Sequence, residues 1–503
     1  MLVDHTQIQT GVSADSHEYD LCIIGAGACG ITLAREFDGL NVKVALVESG
    51  GFEHSSETLA LYDGEASGVR EGYLTQTRQR FFGGTTNHWG NLCRPFDELD
   101  FKKRAWIPDS VGWPFGLREF EPYYDRAAPI VQLTPFFTEG APDRDFLDPS
   151  CELSALLFKI SRPPTRFGSL YRKQLMDSSN ISIFLNCNAV DLPLTTNRTT
   201  VQSLSILTNE GRRFRIHAKR YVLATGGLEN PRLLLNCNKD IETGLGNHSD
   251  LVGRYFMSHA PTGGLGAVNF SGPNTEQLVK RMTVRTTSRP EELEVSYVGI
   301  REATQKRLGL LNQGFAFWSA IEELPEDLQR FVDINEAFTL LQSEQGATAT
   351  FALTSVAEQS PNRNSRVKLG AEKDFTGLRK MQFEFRTNAL DRDSMKKSIE
   401  FLATELGRLH LGRVRFDFDD ASTLPFNPDD HHMGTTRMHD DPTQGVVDTN
   451  CRVHHLSNLY VTGGSVFPSG GFANPTITMV AMALRLADHL LSLIHISEPT
   501  RPY

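Results

Sequence analysis

The sequence predicts an α/β chain: a doubly wound parallel sheet assembled from separate stretches, and a second domain built on a mixed β-sheet. Three observations predict it. A glycine loop, Gly25-x-Gly27-x-x-Gly30, stands between an apolar run and a helical one. Apolar runs ending in glycine recur far downstream, at Ala224-Thr225-Gly226-Gly227 and at 459–464 (LYVTGG). Between these returns, residues 261–425 carry strand-like stretches of a different composition.

Residues 20–24 (DLCII) read as a buried strand, 28–38 as a helix and 42–48 (VKVALVE) as a second strand, a βαβ start. One glycine permits the tight turn, one lets the backbone approach a pyrophosphate, and one lets helix and strand pack closely. The helix N-terminus offers free N–H groups and positive potential to the phosphates. Glu48 ends the second strand about 20 residues past the loop, where an acidic group reaches a ribose hydroxyl. Gly25, Gly27, Gly30 and Glu48 are therefore expected at a bound dinucleotide.

Residues 181–192 and 201–235 read as strands returning to the same sheet, with Ala224 at a strand end. A last strand at 459–464 precedes a final helix at 476–490. Stretches 314–320, 348–358 and 380–386 read as strands of the second domain, with a helix at 391–409. The expected division is 18–110, 180–260 and 440–490 for the dinucleotide domain, and 111–179 with 261–439 for the other.

A chain of 503 residues is long enough for two domains. Its net charge of −10 gives no reason to expect a nucleic acid. Seven scattered Cys, none in C-x-x-C, fit reduced, buried thiols. The apolar final helix is interrupted by Arg485, Asp488 and His489, so no direct membrane span is expected. The polar, acidic N-terminus makes cytoplasmic the default location. Residues 491–503 (LSLIHISEPTRPY) break from the helix pattern and read as a non-native tail, like a translated sequencing adapter, or a short disordered one.

Two further segments carry chemistry. FFGGTTNHWG opens at 81, and DDHHMGTTRM (429–438) holds His431, Gly434 and Thr435 in an H-x-x-G-T frame, with FANPTIT at 472–478. With the glycine loop, these resemble the glucose–methanol–choline (GMC) oxidoreductases, nearest the pyranose oxidase and sugar dehydrogenase branch. The resemblance covers nearly the whole chain. It implies a discontinuous Rossmann-like FAD-binding domain, a substrate domain, and oxidation of a sugar, glycoside or polyol hydroxyl by hydride transfer to FAD. It implies His431 as general base, suited by an ordinary pKa of about 6.5, and Asn474 as its hydrogen-bonding partner. Gly83 and Gly84 would pass along the flavin ring beside Asn87 and His88. His88 matches the residue that carries a covalent flavin bond in pyranose oxidases, although Asn87 stands where they have Thr. Gly463, Gly464 and Ser465 would bring backbone groups to the flavin. Pro475 and Thr476 would open a helix toward its pyrimidine end. Oxygen, a quinone or a redox partner protein would take the electrons. Some relatives are exported with a small subunit.

Other readings stand beside these. The glycine loop and Glu48 alone also suit an NAD-dependent dehydrogenase, and some relatives are lyases that use flavin without redox work. His88 could simply pack beside the ring, and His432 could be the inward-facing histidine. Asp429, Asp430, His431, His432, His439, Asp440 and Asp441 match no metal-ligand spacing and read as a solvated acidic loop. Phe315, Phe317 and Trp318 could stack on a sugar, though aromatics in a strand are more often core. Arg366 reads as structural.

Overall fold

The computed structural model describes residues 2–3, 18–138, 150–271, 285–286, 289–318, 349–416, 424 and 426–497. The first apolar run forms the strand Glu18–Ile24, and the helix Ala28–Glu36 starts from Gly27. The strand Val44–Val47 pairs with it in parallel, Leu21 opposite Val44, and all four of its residues are buried. Continuous burial is what a strand covered on both faces requires. The sheet runs in the order 181–184, 44–47, 18–24, 213–223, 204–208, 187–191, and Leu459–Val461 adds to 213–223. Pairings at the glycine-loop end are parallel, and those of the two outer strands 204–208 and 187–191 are antiparallel. Five parallel strands thus end on one edge, at Ile24, Val47, Phe184, Leu223 and Val461. In open α/β sheets this is the edge where ligands bind.

The second sheet runs 412–416, 260–270, 349–357, 313–318, 292–300, 153–161, 92–93, with 285–286 paired to 292–300. Its pairings are antiparallel. A three-stranded sheet, 366–373, 379–384 and 64–67, adds one antiparallel and one parallel pairing. The helix Ala389–Arg408 closes the core of the second sheet, where Met395, Ile399 and Leu402 meet Phe270, Phe315 and Phe351. Phe315 and Phe317 are core residues there. Residues 319–320 and 348, expected in strands, and the Trp318 side chain lie outside the described residues.

Several expectations need revision. Leu92–Cys93, inside 18–110, pairs with Leu153–Ser161 of the second sheet, because the chain crosses over before residue 110. The final helix spans Thr476–Ser497, so residues 491–497 continue it rather than break away. Leu491, Leu493 and Ile494 pack against the core, and Arg220 donates to the Leu493 carbonyl. Residues 498–503 lie outside the described residues. Against expectation, Thr476–Ile494 is long and apolar enough to cross a membrane, with a mean hydropathy of 1.6. Its charges do not interrupt it, because Asp488 pairs with Arg126 at 2.7 Å and Arg485 donates to the Thr449 carbonyl at 2.6 Å. The helix packs on Ala28–Glu36 and Leu117–Ile130, burying Ile477, Val480, Ala481, Leu484 and Ala487.

The loop and first helix meet backbone to backbone. A Cβ on Gly30 would lie 1.9 Å from the Gly25 carbonyl oxygen. Gly30→Ala is therefore expected to cost about 3 kcal/mol or more through overpacking against backbone. Thermal unfolding checks this, and an unchanged Tm would show that helix and loop are not in this contact.

Candidate active site

The segments after the parallel strand ends wall one side of a cavity of about 850 Å³. The second sheet walls the other through Val295, Tyr297, Thr354, Ser355 and Val356. At Gly27 the first helix begins with no side-chain cap and no acidic residue in its first turn. Gly27, Ala28 and Cys29 line the cavity, so the positive end of the helix faces it. A Cβ on Gly27 would meet nothing within 4 Å, while one on Gly84 would lie 3.1 Å from the Gly27 Cα. The space above Gly27 is open, as the approach of a pyrophosphate to the helix N-terminus requires.

Glu48 is buried in the wall beside this loop. Its Oε2 accepts from the Ala26 N–H at 2.9 Å and its Oε1 from the Gly50 N–H at 3.0 Å. The same end carries charges that sequence reading missed. Glu229 accepts from Arg78 at 3.1 Å, Arg80 at 3.3 Å and Arg232 at 3.0 Å, and Arg232 also pairs with Asp374. Burial pushes the Glu229 carboxyl up, but Arg232, Arg80 and Arg78 outweigh it and hold it at about 2.

At the other end His431 and Asn474 meet, with 3.4 Å between His431 Nε2 and Asn474 Nδ2. On its other side, His431 Nδ1 lies 2.9 Å from His259 Nδ1 and 3.5 Å from Asp429 Oδ2. Burial pushes His431 down to about 4. Burial, then the neighbouring His431, pushes His259 down to about 3. His432 also lines the cavity, but its ring packs against Tyr73 and Phe256 and its Nε2 is buried without a partner. Asp429 and Asp430 belong to this wall, with side chains 36% and 38% exposed. Asp430 is 3.5 Å from Arg70, and burial raises both carboxyls. Among the described residues, no group of three or more His, Cys, Asp or Glu is placed to hold a metal.

Of the residues expected from sequence, Gly25, Gly27, Glu48, Gly84, His88, Ala224, His431, Gly463, Asn474, Pro475 and Thr476 line this one cavity. His88 Nδ1 sits 3.0 Å from Gln79 Nε2. Four others stand behind the wall and act through packing. Gly30 supports the Gly25 turn, and a Cβ on Gly83 would meet the Gly168 backbone nitrogen at 2.5 Å. Asn87 turns away to donate to the Phe82 carbonyl at 2.9 Å. Ser465 is fully buried, accepting from Asn230 Nδ2 at 2.9 Å. Arg366 is 3.5 Å from Asp250, in a structural role away from the cavity. The arginine cluster and His259 had no local signature to betray them.

Residues 361–483 match the family model described as GMC oxidoreductase. The fructose dehydrogenase large subunit of Gluconobacter japonicus is 23% identical, over 96% of this chain and 99% of that protein. The 6'''-hydroxyparomomycin C oxidase of Streptomyces lividus is 22% identical, over 94% of this chain and 92% of that protein. A solved structure of the formate oxidase of Aspergillus oryzae superposes with a TM-score of 0.58 at 17% identity, covering 96% of this chain and 99% of that one.

The open space at Gly27 sets a test that separates ligand from fold. Gly27→Asp should leave the protein folded, since its Cβ meets nothing, yet abolish dinucleotide binding by placing bulk and like charge at the phosphates. Absorbance of the purified variant reads this directly, and stoichiometric retained cofactor would refute the assignment.

Proposed function

We propose that this chain, a GMC-type FAD-dependent oxidoreductase acting on CH–OH groups, oxidises a hydroxyl of a sugar, glycoside or polyol. The observation that carries this reading is the His431–Asn474 pair, 3.4 Å apart in the cavity that Gly27 and Gly463 also line. Gly25, Gly27, Glu48, Ala224 and Gly463 would hold the FAD, with its pyrophosphate at the first helix. When bound, FAD supplies the acceptor for a hydride.

His431 takes the hydroxyl proton as the hydride leaves carbon, and the substrate becomes a carbonyl. Burial keeps the imidazole neutral and ready to accept, since its pKa of about 4 lies below working pH. The Asp429 carboxylate, 3.5 Å from Nδ1, offsets the positive charge the ring then gains. Asn474 cannot accept the proton, and its amide positions the hydroxyl. The cavity that holds this pair is also lined by Thr354, Ser355, Asn427, Asp429 and Tyr297. Polar groups beside an aromatic residue suit a polyhydroxylated molecule. The names fructose dehydrogenase and hydroxyparomomycin oxidase agree with a carbohydrate. Electrons would pass onward to oxygen, a quinone or a partner protein. The last is favoured by similarity to a protein named as a large subunit.

Three variants test the assignment in stopped-flow flavin reduction. His431→Ala should slow reduction by roughly 10²–10⁴-fold, the usual loss for a general base. Asn474→Ala should cost less, and His432→Ala least, because its ring is held in an aromatic cluster. Fast reduction by His431→Ala would sink the reading. In the parent, the basic form of His431 is lost only as pH falls through about 4, so the rate should be flat between about pH 6 and 8. An inflection near 6.5 would contradict burial as the cause. His88 is expected to pack beside the flavin without a bond to it. Acid precipitation should leave the flavin in the supernatant, and a yellow pellet would reverse that assignment.

A further inference from the structure

His259 is fully buried, and its two ring nitrogens have different neighbours. Nε2 lies 3.1 Å from the Gly470 carbonyl oxygen, which can only accept. Nε2 therefore carries a hydrogen. Burial keeps the ring neutral, so it has one N–H and a lone pair on Nδ1. That lone pair faces His431 Nδ1 at 2.9 Å. One of two facing nitrogens must donate, and here only His431 can. Asp429 Oδ2, 3.5 Å from the same His431 nitrogen, is a second acceptor and agrees. A neutral His431 with its hydrogen on Nδ1 has none on Nε2, the nitrogen facing Asn474 Nδ2. The other tautomer would set two lone pairs against each other beside a carboxylate.

The carbonyl that starts this chain of hydrogen bonds is itself held. Trp113 Nε1 donates to Ser469 Oγ at 2.8 Å, and Ser469 Oγ donates to the Asp100 carbonyl at 2.5 Å. Gly471 has φ +54, and a Cβ there would lie 2.8 Å from the Asp100 carboxylate, so the loop at 469–471 has one place to sit. The segments carrying the two histidines are also locked. Met257 bridges Met433, and the Asp429 N–H donates to the His259 carbonyl at 2.9 Å. Gly470 precedes Asn474 by four residues, so His259 ties the Asn474 loop to the His431 segment.

We propose that His259 is a positioning residue: with its Nε2–H on the Gly470 carbonyl, it fixes the His431 tautomer that leaves Nε2 bare toward Asn474. This rests on His431 being the base. His259 touches neither the reacting hydroxyl nor the cofactor in this scheme. Its effect reaches the reaction through which nitrogen of His431 holds the hydrogen.

The test uses the FAD-loaded enzyme with an accepted sugar or alcohol, and variants His259→Leu, His259→Asn and His431→Ala. His259→Leu removes the acceptor for His431 Nδ1–H. It should slow flavin reduction at saturating substrate by roughly ten- to a hundredfold, part of what a general base contributes. Half-saturation and bound flavin should stay near parental values. His259→Asn offers an amide oxygen where Nδ1 was and should recover most of the rate. Equal slowing by both substitutions would mean that bulk, not the hydrogen bond, matters, and would overturn the proposal.

¹⁵N-histidine NMR of the parent reads the tautomer without turnover. A bare Nε2 on His431 is expected at neutral pH, and a protonated one overturns the proposal even if a variant fails to fold. Slow reduction by His431→Ala with parental speed in His259→Leu would remove His259 and keep the base. Fast reduction by His431→Ala would remove the base, while the tautomer measurement still tests what His259 does to the ring.

Discussion

Glu229 accepts from three guanidinium groups in a wall where the side chains of Arg78, Arg232 and Glu229 are 6%, 2% and 10% exposed. Each arginine comes with a different obligation. Arg78 and Arg80 belong to the segment that continues into Thr85 and His88, while Arg232 lies on the helix Glu229–Asn236 and reaches Asp374 in the turn that joins strands 366–373 and 379–384 of the small sheet. A carboxylate among several buried cations cannot be withdrawn cheaply. Removing one partner of a buried pair typically costs about 3–5 kcal/mol, because it strands the charges that remain. With its carboxyl held near 2, Glu229 contributes stability above its ordinary carboxylate range, and that contribution is lost as pH falls through about 2. The cavity wall and the small sheet therefore share one electrostatic fastening.

The same cluster gives the cavity a direction. Its glycine-loop end has the N-terminus of the first helix and several guanidinium groups. Its other end has neutral histidines and the carboxyls of Asp429 and Asp430. Positive potential at the first helix N-terminus favours the anionic part of a bound ligand there. The final helix brings a second positive helix N-terminus to the cavity, beside the His431–Asn474 pair. It opens at Thr476 directly after Asn474 and Pro475, and its apolar faces are spent on the helices Ala28–Glu36 and Leu117–Ile130. Hydropathy counts those apolar residues without knowing what they touch, so composition alone could not distinguish a buried core helix from a membrane span.

What could be read from sequence was local. The glycine loop, Glu48 and the parallel strand ends are short patterns whose geometry follows from residue type and spacing. His431 and Asn474 came from resemblance, and the structure brings them together across 43 residues. Contacts set only by tertiary packing were invisible. His259 reaches His431 from 172 residues away, and Arg78 reaches Glu229 from 151. Neither pair has a spacing to search for. Gly83, Asn87 and Ser465 sat in the right segments but face away from the cavity, because a motif's neighbours are often there to hold its backbone. Asp429 and Asp430, read as part of a solvated loop, line the cavity while staying partly exposed, which a run of charges does not announce.

Glu48 shows how a sequence signature can hide two constraints in one residue. Its carboxylate already accepts from the N–H groups of Ala26 and Gly50, so the glycine loop is tied to the end of the second strand before any ligand arrives. Each oxygen keeps a further lone pair, and the residue lines the cavity, so a ribose hydroxyl can still donate to it. A carboxamide there would keep one acceptor and set an N–H against a backbone N–H. The acidic residue is thus demanded by the loop's own unpaired donors as well as by the ligand. A loop of this shape selects for a carboxylate even in the absence of a dinucleotide, which is why glycines and an acid at this spacing say less about the ligand than the empty space over Gly27 does.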